Sequence, residues 1–225
     1  RTTAGDGLVS LDEYVGRMKE GQQAIYTITG DDLALLKTSP HLEGFRARGV
    51  EVLLLTDAVD EFWVPAVGEY QEKPFKSATR AGADLGAIAK TDETPAAETA
   101  DTGPLIALFK LALKDAVKDV RVSERLTDSA VCLVSDEGDV DLHLERLLKQ
   151  HRQTVAPAKR ILEINAAHPV IRALAAGVGR DGAAARLEDT AWLLLDQARI
   201  MDGDPLPDPS AFARRLGAML EKAVA

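Results

Sequence analysis

Cysteine is nearly missing from this chain of 225 residues: Cys132 stands alone, so no internal disulfide can form and the usage fits a reducing compartment. It lies in the apolar run Ala130-Val-Cys-Leu-Val134, where a buried structural thiol is expected rather than a reactive one. Positive charge is in short supply as well. Lys and Arg number 27 against 36 Asp and Glu, which gives a formal net charge of −9. Nucleic-acid binding needs a clustered cationic surface, and none is visible. No stretch approaches the ~18 uninterrupted apolar residues of a membrane span, and no leader-type pattern is seen. A cytoplasmic protein with neither membrane nor nucleic-acid partners is therefore expected. The chain opens Arg1-Thr-Thr-Ala rather than on methionine and is read as a piece of something longer.

Catalytic signatures are missing too. No G-x-S-x-G, H-E-x-x-H or P-loop occurs, so no catalytic residue is assigned. His41, His143, His151 and His168 are not paired with other ligands at helical or zinc-ribbon spacing; solvated or helix-capping roles are expected, and no metal. Gly177-Val-Gly179-Arg-Asp-Gly182 matches the dinucleotide fingerprint letter for letter, yet that fingerprint works only between a strand and a helix. Here Pro169, Ile171, Leu174 and Ala175 read as helix, so a helix-to-helix connector is expected. The rival reading is a nucleotide-binding enzyme domain that uses the Gly177–Gly182 loop. The acidic cluster Asp136-Glu-Gly-Asp139 with Asp141 is read as a solvated helix entrance, where negative charge suits the N-terminal dipole.

What is present begins with 46% hydrophobic and 28% charged residues, enough for one or two domains with real cores. Ser10-Leu-Asp-Glu13 has capping-box spacing and opens a short helix that Gly21 ends. Ala24-Ile-Tyr-Thr-Ile-Thr29 reads as a strand, Gly30-Asp31-Asp32 as the next helix start, and Ser39-Pro40 as a cap with proline behind it. Val50-Glu-Val-Leu-Leu-Leu55 is the near-continuous apolar strand of a parallel sheet. Two strands separated by helix make a β-α-β crossover, so a small α/β unit is expected. Asp57 is expected to cap the helix that holds Asp60-Glu-Phe-Trp63. From about residue 76 to 103 large apolar side chains thin out after Ile88, which reads as a linker with one weak helical stretch. Beyond it the pattern is α+β: a helix over Pro104–Lys114, strands at Val117–Val122, Val131–Val134 and Arg160–Ile164, and helices from Pro169, from Ala183 to Met201, and from Asp208-Pro209.

Three apolar surfaces stand out. Val140, Leu144, Leu147 and Leu148 share one helical stripe, with Leu142 off it; the stripe is either an ordinary core face or a semi-exposed grip for partners. Phe62 and Trp63 point ~100° apart on a helix, so one of them reaches the surface or a domain junction. In the last two helices Leu187, Leu194 and Met201 repeat at seven, with Ala191 and Ala198 between them and Trp192 and Leu195 widening the stripe. The final helix adds Phe212, Leu216, Met219 and Leu220. Such a hairpin either packs on the preceding domain or pairs with a second copy into an intermolecular four-helix bundle, and pairing is the reading preferred here.

Several stretches also resemble the heat-shock protein 90 family in its bacterial, HtpG-type form. They are Ser10-Leu-Asp-Glu-Tyr-Val-Gly-Arg-Met-Lys-Glu-Gly21, Ile25-Tyr-Thr-Ile-Thr29, Ser39-Pro-His-Leu-Glu43, Val50-Glu-Val-Leu-Leu-Leu-Thr-Asp57, Asp60-Glu-Phe-Trp63, Lys73-Pro-Phe75, Val117-Lys-Asp-Val-Arg121, Arg125-Leu-Thr-Asp128 and Leu193-Leu-Leu-Asp-Gln197. The resemblance implies that residues 1–75 are the last subdomain of the chaperone middle domain and 104–225 the C-terminal dimerisation domain, with 76–103 between them. It places the nucleotide domain, and with it ATP and Mg, in a full-length parent; this piece is expected to hold no cofactor and to be no ATPase by itself. It implies a homodimer that contacts unfolded or partly folded clients through Phe62, with Trp63 beside it, and through the helix of Val140 and Leu144. Family members carry methionines on that helix, where this chain has Val and Leu. The ending Glu221-Lys-Ala-Val-Ala225 does not match the acidic tail that recruits helical-repeat cochaperones, so those partners are not expected.

Overall fold

The computed structural model describes residues 1–82, 85, 86, 88, 99–136, 138, 139, 141–150, 158–180 and 183–224, without the side chains of 142, 146, 149, 150 and 183–185. Val140, His151 and much of the expected linker lie outside the described residues. The chain divides into two compact units, Arg1–Pro95 with Val134–Ala158, and Ala96–Leu133 with Lys159–Ala225.

In the first unit, local signals set the short helices. Ser10 Oγ accepts the Glu13 N–H at 3.2 Å while a Glu13 carboxylate oxygen accepts the Ser10 N–H at 2.8 Å, so the capping box opens α1 (Leu11–Val15). After β1 (Ile25–Thr29), Asp32 Oδ1 accepts the Ala34 N–H at 2.7 Å and starts α2 (Leu33–Lys37). Ser39 caps a 3₁₀ turn over Pro40–Leu42 that runs into α3 (Glu43–Arg46). The strand β2 (Leu53–Leu55) then returns parallel to β1, in register Thr27 to Leu53. Next comes α4 (Asp60–Val67). Asp57 does not cap it, contrary to the sequence expectation: the cap position is Val59, and Asp57 instead donates its N–H to Asp60 Oδ2 at 3.1 Å.

A hairpin of β3 (Glu69–Tyr70) and β4 (Lys73–Ser77) completes a sheet of order β2-β1-β4-β3, with β4 parallel to β1. Its two-residue turn holds Gln71 and Glu72 at φ 49° and 59°, the left-handed pair that such tight turns require, here without glycine. Tyr26, Leu42, Phe45, Val52 and Leu54 fill one core of the unit; Tyr14, Ile25 and Leu53 fill a second. The Tyr14 hydroxyl is buried among polar partners: it donates to the Glu51 carbonyl at 2.7 Å and accepts from Gln22 Nε2 and the Tyr26 N–H. Burial pushes its pKa up to about 12. The core continues past β4, where Ala78, Ala81, Leu85 and Ile88 are buried in the stretch expected as linker. The unit closes with α6 (Leu142–Gln150), which the sequence reading had placed with the second half.

The second unit is built on α5 (Gly103–Leu113), with Pro104 in its first turn, and on a sheet of β5 (Asp119–Val122), β6 (Val131–Val134) and β7 (Ile161–Ile164) in the order β5-β7-β6. Strands β5 and β7 run parallel, Val120 beside Leu162. Three helices follow: α7 (Pro169–Gly177), α8 (Ala183–Met201) and α9 (Pro209–Val224). Leu105, Phe109 and Leu113 recur every fourth residue on α5 and pack with Leu162, Ile164, Ile171, Ala191 and Leu195 into one core.

Charged side chains sit in this unit's interior, Glu163, Arg125 and Asp196 among them. Glu163 on β7 is 3% exposed and accepts from Arg125 Nε at 3.1 Å, an Arg121 guanidinium nitrogen at 2.6 Å and the Ser123 hydroxyl at 2.8 Å. Burial by itself would raise its pKa, but Arg125 first and then Arg121 and Ser123 outweigh that and hold it below the ordinary value. Replacing Glu163 by Leu removes the carboxylate that the buried Arg125 and the Arg121 guanidinium share and is expected to cost about 3–5 kcal/mol in urea unfolding. Because the folded pKa is the lower one, the stabilisation from Glu163 is present above the unfolded value of about 4.5 and fades as pH falls through the folded value. Acid unfolding of Glu163→Leu, set beside that of the parent chain, checks this sign.

Candidate functional site

In the first unit a cleft lies between residues of α4 and the start of α6, and of the candidate contact residues Leu144 lines it. Successive residues on α4 diverge by ~100°, and Phe62 and Trp63 take opposite fates. Trp63 turns inward: its Nε1 donates to Asp60 Oδ1 at 2.6 Å, and its ring meets Phe75 edge-on, centroids 5.6 Å apart. Phe62 points out, with 58% of its surface exposed, and Val59 one turn earlier is exposed too. Of the two aromatics, Phe62 is thus the surface residue and Trp63 the anchor beneath it. The cleft beside them holds about 420 Å³ and is lined by Glu61, Val64, Phe75, Arg80, Asp141 and Leu144 among others.

On α6 the expected stripe is largely turned inward. Leu147 is buried, and Leu144 and Leu148 are half-buried, so this is not a freely exposed apolar face. The first turn of α6 is held by polar groups that the sequence reading assigned to solvent. Asp141 is buried rather than solvated; its carboxylate accepts the Thr79 hydroxyl at 3.0 Å, with Arg80 at 3.7 Å. His143 is buried as well, its Nδ1 2.8 Å from Glu61 Oε1 and its Nε2 3.1 Å from Asp31 Oδ1. The hydrogen bond to Glu61 raises its pKa above the ordinary 6.5, burial opposes that, and Asp31 adds to the rise. No sequence signal marked these contacts, because the partners lie 82 and 112 residues away along the chain. His168, by contrast, caps α7 as expected, its Nδ1 accepting the Val170 N–H at 3.2 Å.

In the second unit the hairpin residues divide into two groups. Leu187, Ala191, Leu194, Leu195 and Ala198, expected at an interface between copies, are buried in this unit's own core with residues of α5. Met201, Leu216, Met219 and Leu220 are exposed, and Phe212 is half-buried. Arg215 fixes α9 against α8: its guanidinium lies 5.2 Å from the Trp192 ring and 3.4 Å from Asp189 Oδ1. The Gly177 loop follows helix α7, with Gly179 at φ +83°, and no strand delivers it. It lacks the strand-to-helix setting that a dinucleotide pyrophosphate needs. Cys132 is buried, its Sγ 3.9 Å from Glu163 Oε2. Among the described residues no group of three His, Cys, Asp or Glu side chains is arranged to hold a metal, and no helix is long and apolar enough to cross a membrane.

Comparison with known proteins adds to this geometry. The family model described as Hsp90 protein matches residues 1–225. The chaperone protein HtpG of Paramagnetospirillum magneticum is 57% identical over 230 residues, covering 99% of this chain and 36% of the relative. HtpG of Roseobacter denitrificans is 51% identical over 229 residues (99% and 37%), and that of Azorhizobium caulinodans 52% over 225 (98% and 35%). The chain therefore spans about a third of the length of these relatives.

The two neighbouring aromatics should answer mutation differently. Phe62→Ala removes an exposed ring and is expected to change unfolding stability by no more than about 0.5 kcal/mol. Trp63→Ala removes the ring packed on Phe75 and the bond to Asp60 and is expected to cost about 2–4 kcal/mol in urea unfolding. Equal losses in the two variants would contradict the inward and outward assignment.

Proposed function

The chain belongs to the Hsp90 protein family, and on that premise we propose that it supplies the client-contacting and self-associating parts of an ATP-dependent molecular chaperone. The observation that carries this reading is Phe62: a large aromatic left in solvent on a helix that Trp63, Asp60 and Phe75 hold rigid. An exposed ring is a standing cost that burial against a partner removes, at roughly 25 cal/mol per Å² of apolar surface. Because the ring is pre-oriented, little ordering entropy is lost when an unfolded segment docks. Leu144 and Leu148 on α6 offer further half-buried apolar area in the same unit. Each contact is small, so binding stays weak and sequence-tolerant, as a chaperone that must release its clients requires.

The exposed residues Met201, Leu216, Met219 and Leu220 support a homodimer in which two α8–α9 hairpins form a four-helix bundle around α9. In this reading the parent works in the cytoplasm and binds ATP and Mg in a nucleotide domain outside this chain. Closure of that clamp would bring the paired client surfaces together. The chain itself holds no cofactor, does no chemistry, and binds neither nucleic acid nor membrane.

Both halves of the reading are open to test on this 225-residue chain. Phe62→Ser together with Leu144→Gln is expected to lower suppression of thermal aggregation of a model client several-fold while circular dichroism stays unchanged. Undiminished holding in that folded double variant would leave only a dimerisation scaffold. Leu216→Asp with Leu220→Asp is expected to halve the mass seen by sedimentation, and a single mass shared with the parent chain would overturn the α9 interface.

A further inference from the structure

The interior of the first unit contains an imidazole whose surroundings favour its protonated form. His143 and Glu61 are 3% and 6% exposed, and Asp31, the second partner, is 67% exposed. A neutral imidazole has one N–H and one bare nitrogen. Here both nitrogens face carboxylate oxygens, at 2.8 and 3.1 Å, and ionised carboxylates only accept. The doubly protonated ring satisfies both. A neutral ring satisfies one and sets a nitrogen lone pair against the other carboxylate, leaving an uncompensated negative charge beside a buried group.

Charged groups described on the neighbouring elements have partners of their own. Asp60 of α4 is engaged with Trp63 and with the Asp57 N–H. On α6 itself Glu145 is buried, and Asp141 accepts from Thr79 and draws Arg80 to 3.7 Å. The charges that act on the ring are those of Glu61 and Asp31, both negative. Glu61 immediately precedes Phe62, so the contact ties the first turn of α6 to the helix that presents the exposed aromatic.

The geometry points to His143 as a proton-operated latch: charged, it fastens α6 to α4 and to the Asp31 loop; neutral, it lets α6 and its Leu144–Leu148 face come away. This regulation rests on the reading of that surface as a client site, although the latch itself can be tested without any client. The direction follows from linkage. The folded pKa of His143 is raised, so the docking it supports is complete below the ordinary value of 6.5 and is lost as pH rises through the folded value. Acid therefore closes the latch and alkali opens it.

Two measurements on the intact chain test it. The first is the NMR titration of the His143 ring, assigned by the signal missing in His143→Gln, with a midpoint expected above 6.5. The second is hydrogen exchange of the α6 amides at about pH 6 and about pH 8.5, corrected for intrinsic rates, with protection expected to drop roughly tenfold across the imidazole titration. Glu61→Gln should lower the midpoint, and His143→Gln should make α6 protection independent of pH. A midpoint at or below 6.5, constant α6 protection in the parent chain, or a pH dependence that survives in His143→Gln would each overturn the latch. Should His143→Gln fail to fold, the midpoints of the parent and of Glu61→Gln still decide. Whether Phe62 and Leu144 grip clients is read separately, in the aggregation assay at fixed pH.

Discussion

An apolar face can be covered only once, and in the second unit α5 has already covered α8. Leu105 and Phe109 lie over Ala191 and Leu195 with essentially no solvent contact. Each such side chain stabilises the unit by about 1.5–3 kcal/mol through burial, and a second molecule laid over the same residues would add nothing. Leu187 and Leu194 of the heptad-like repeat of α8 are therefore covered inside the chain, while Met201 is exposed. On the proposed reading, self-association falls to Met201 at the end of α8 and to α9, which Arg215 holds on α8 through Trp192 and Asp189 while Leu216, Met219 and Leu220 stay in solvent. The same packing that stabilises the unit dictates which of its helices can meet a partner.

The first unit divides its labour along a different line. Its α4 helix is fixed by contacts that do not respond to ordinary changes of solution: the Trp63–Phe75 ring pair, and a short bond from the indole to Asp60. Its α6 helix is fixed at the first turn by charge, through His143 with Glu61 and Asp31 and through Asp141 with Thr79 and Arg80. Apolar packing holds regardless of pH and is barely screened by salt, whereas a tether made of an imidazole and carboxylates depends on proton activity. On the proposed latch, α4 is the platform and α6 its conditional neighbour.

How far the sequence revealed this depends on the distance over which each interaction acts. The Ser10–Glu13 capping box, the Asp32 cap, the Ser39-Pro40 entry and the parallel pairing implied by Val50–Leu55 were legible because their partners lie within a few residues or follow from a simple crossover. The Asp57 cap was misjudged by a local margin: Asp60 uses its side chain to accept the Asp57 N–H, which leaves Asp57 outside the helix start. The residues missed altogether act across long separations. His143 reaches back to Asp31, Asp141 to Thr79, and Arg125 forward to Glu163, and no spacing rule connects such positions. The α8 stripe was correctly read as amphipathic, but amphipathicity does not say which surface answers it, and α5 lies some eighty residues earlier. Family resemblance supplied the significance of Phe62 that periodicity alone could not, since the pattern left both aromatics as candidates for the surface.

The leucines of α6 give the two units' contrast a functional edge. Leu144, Leu147 and Leu148 are branched, and branched side chains reshape themselves less readily against varied partners than methionine does. Leu147 is already buried, and its neighbours are half-covered, so side-chain flexibility alone offers a client little area. Adaptability on the proposed reading has to come from moving the helix as a body. That is possible only where the attachment is reversible at modest cost. A first turn held by a protonatable ring and a hydroxyl–carboxylate pair meets that condition, and a helix sealed by a full apolar stripe would not. On the proposed reading, the branched leucines of α6 and the placement of His143 against Glu61 are two parts of one arrangement: stiff contacts carried on a releasable helix.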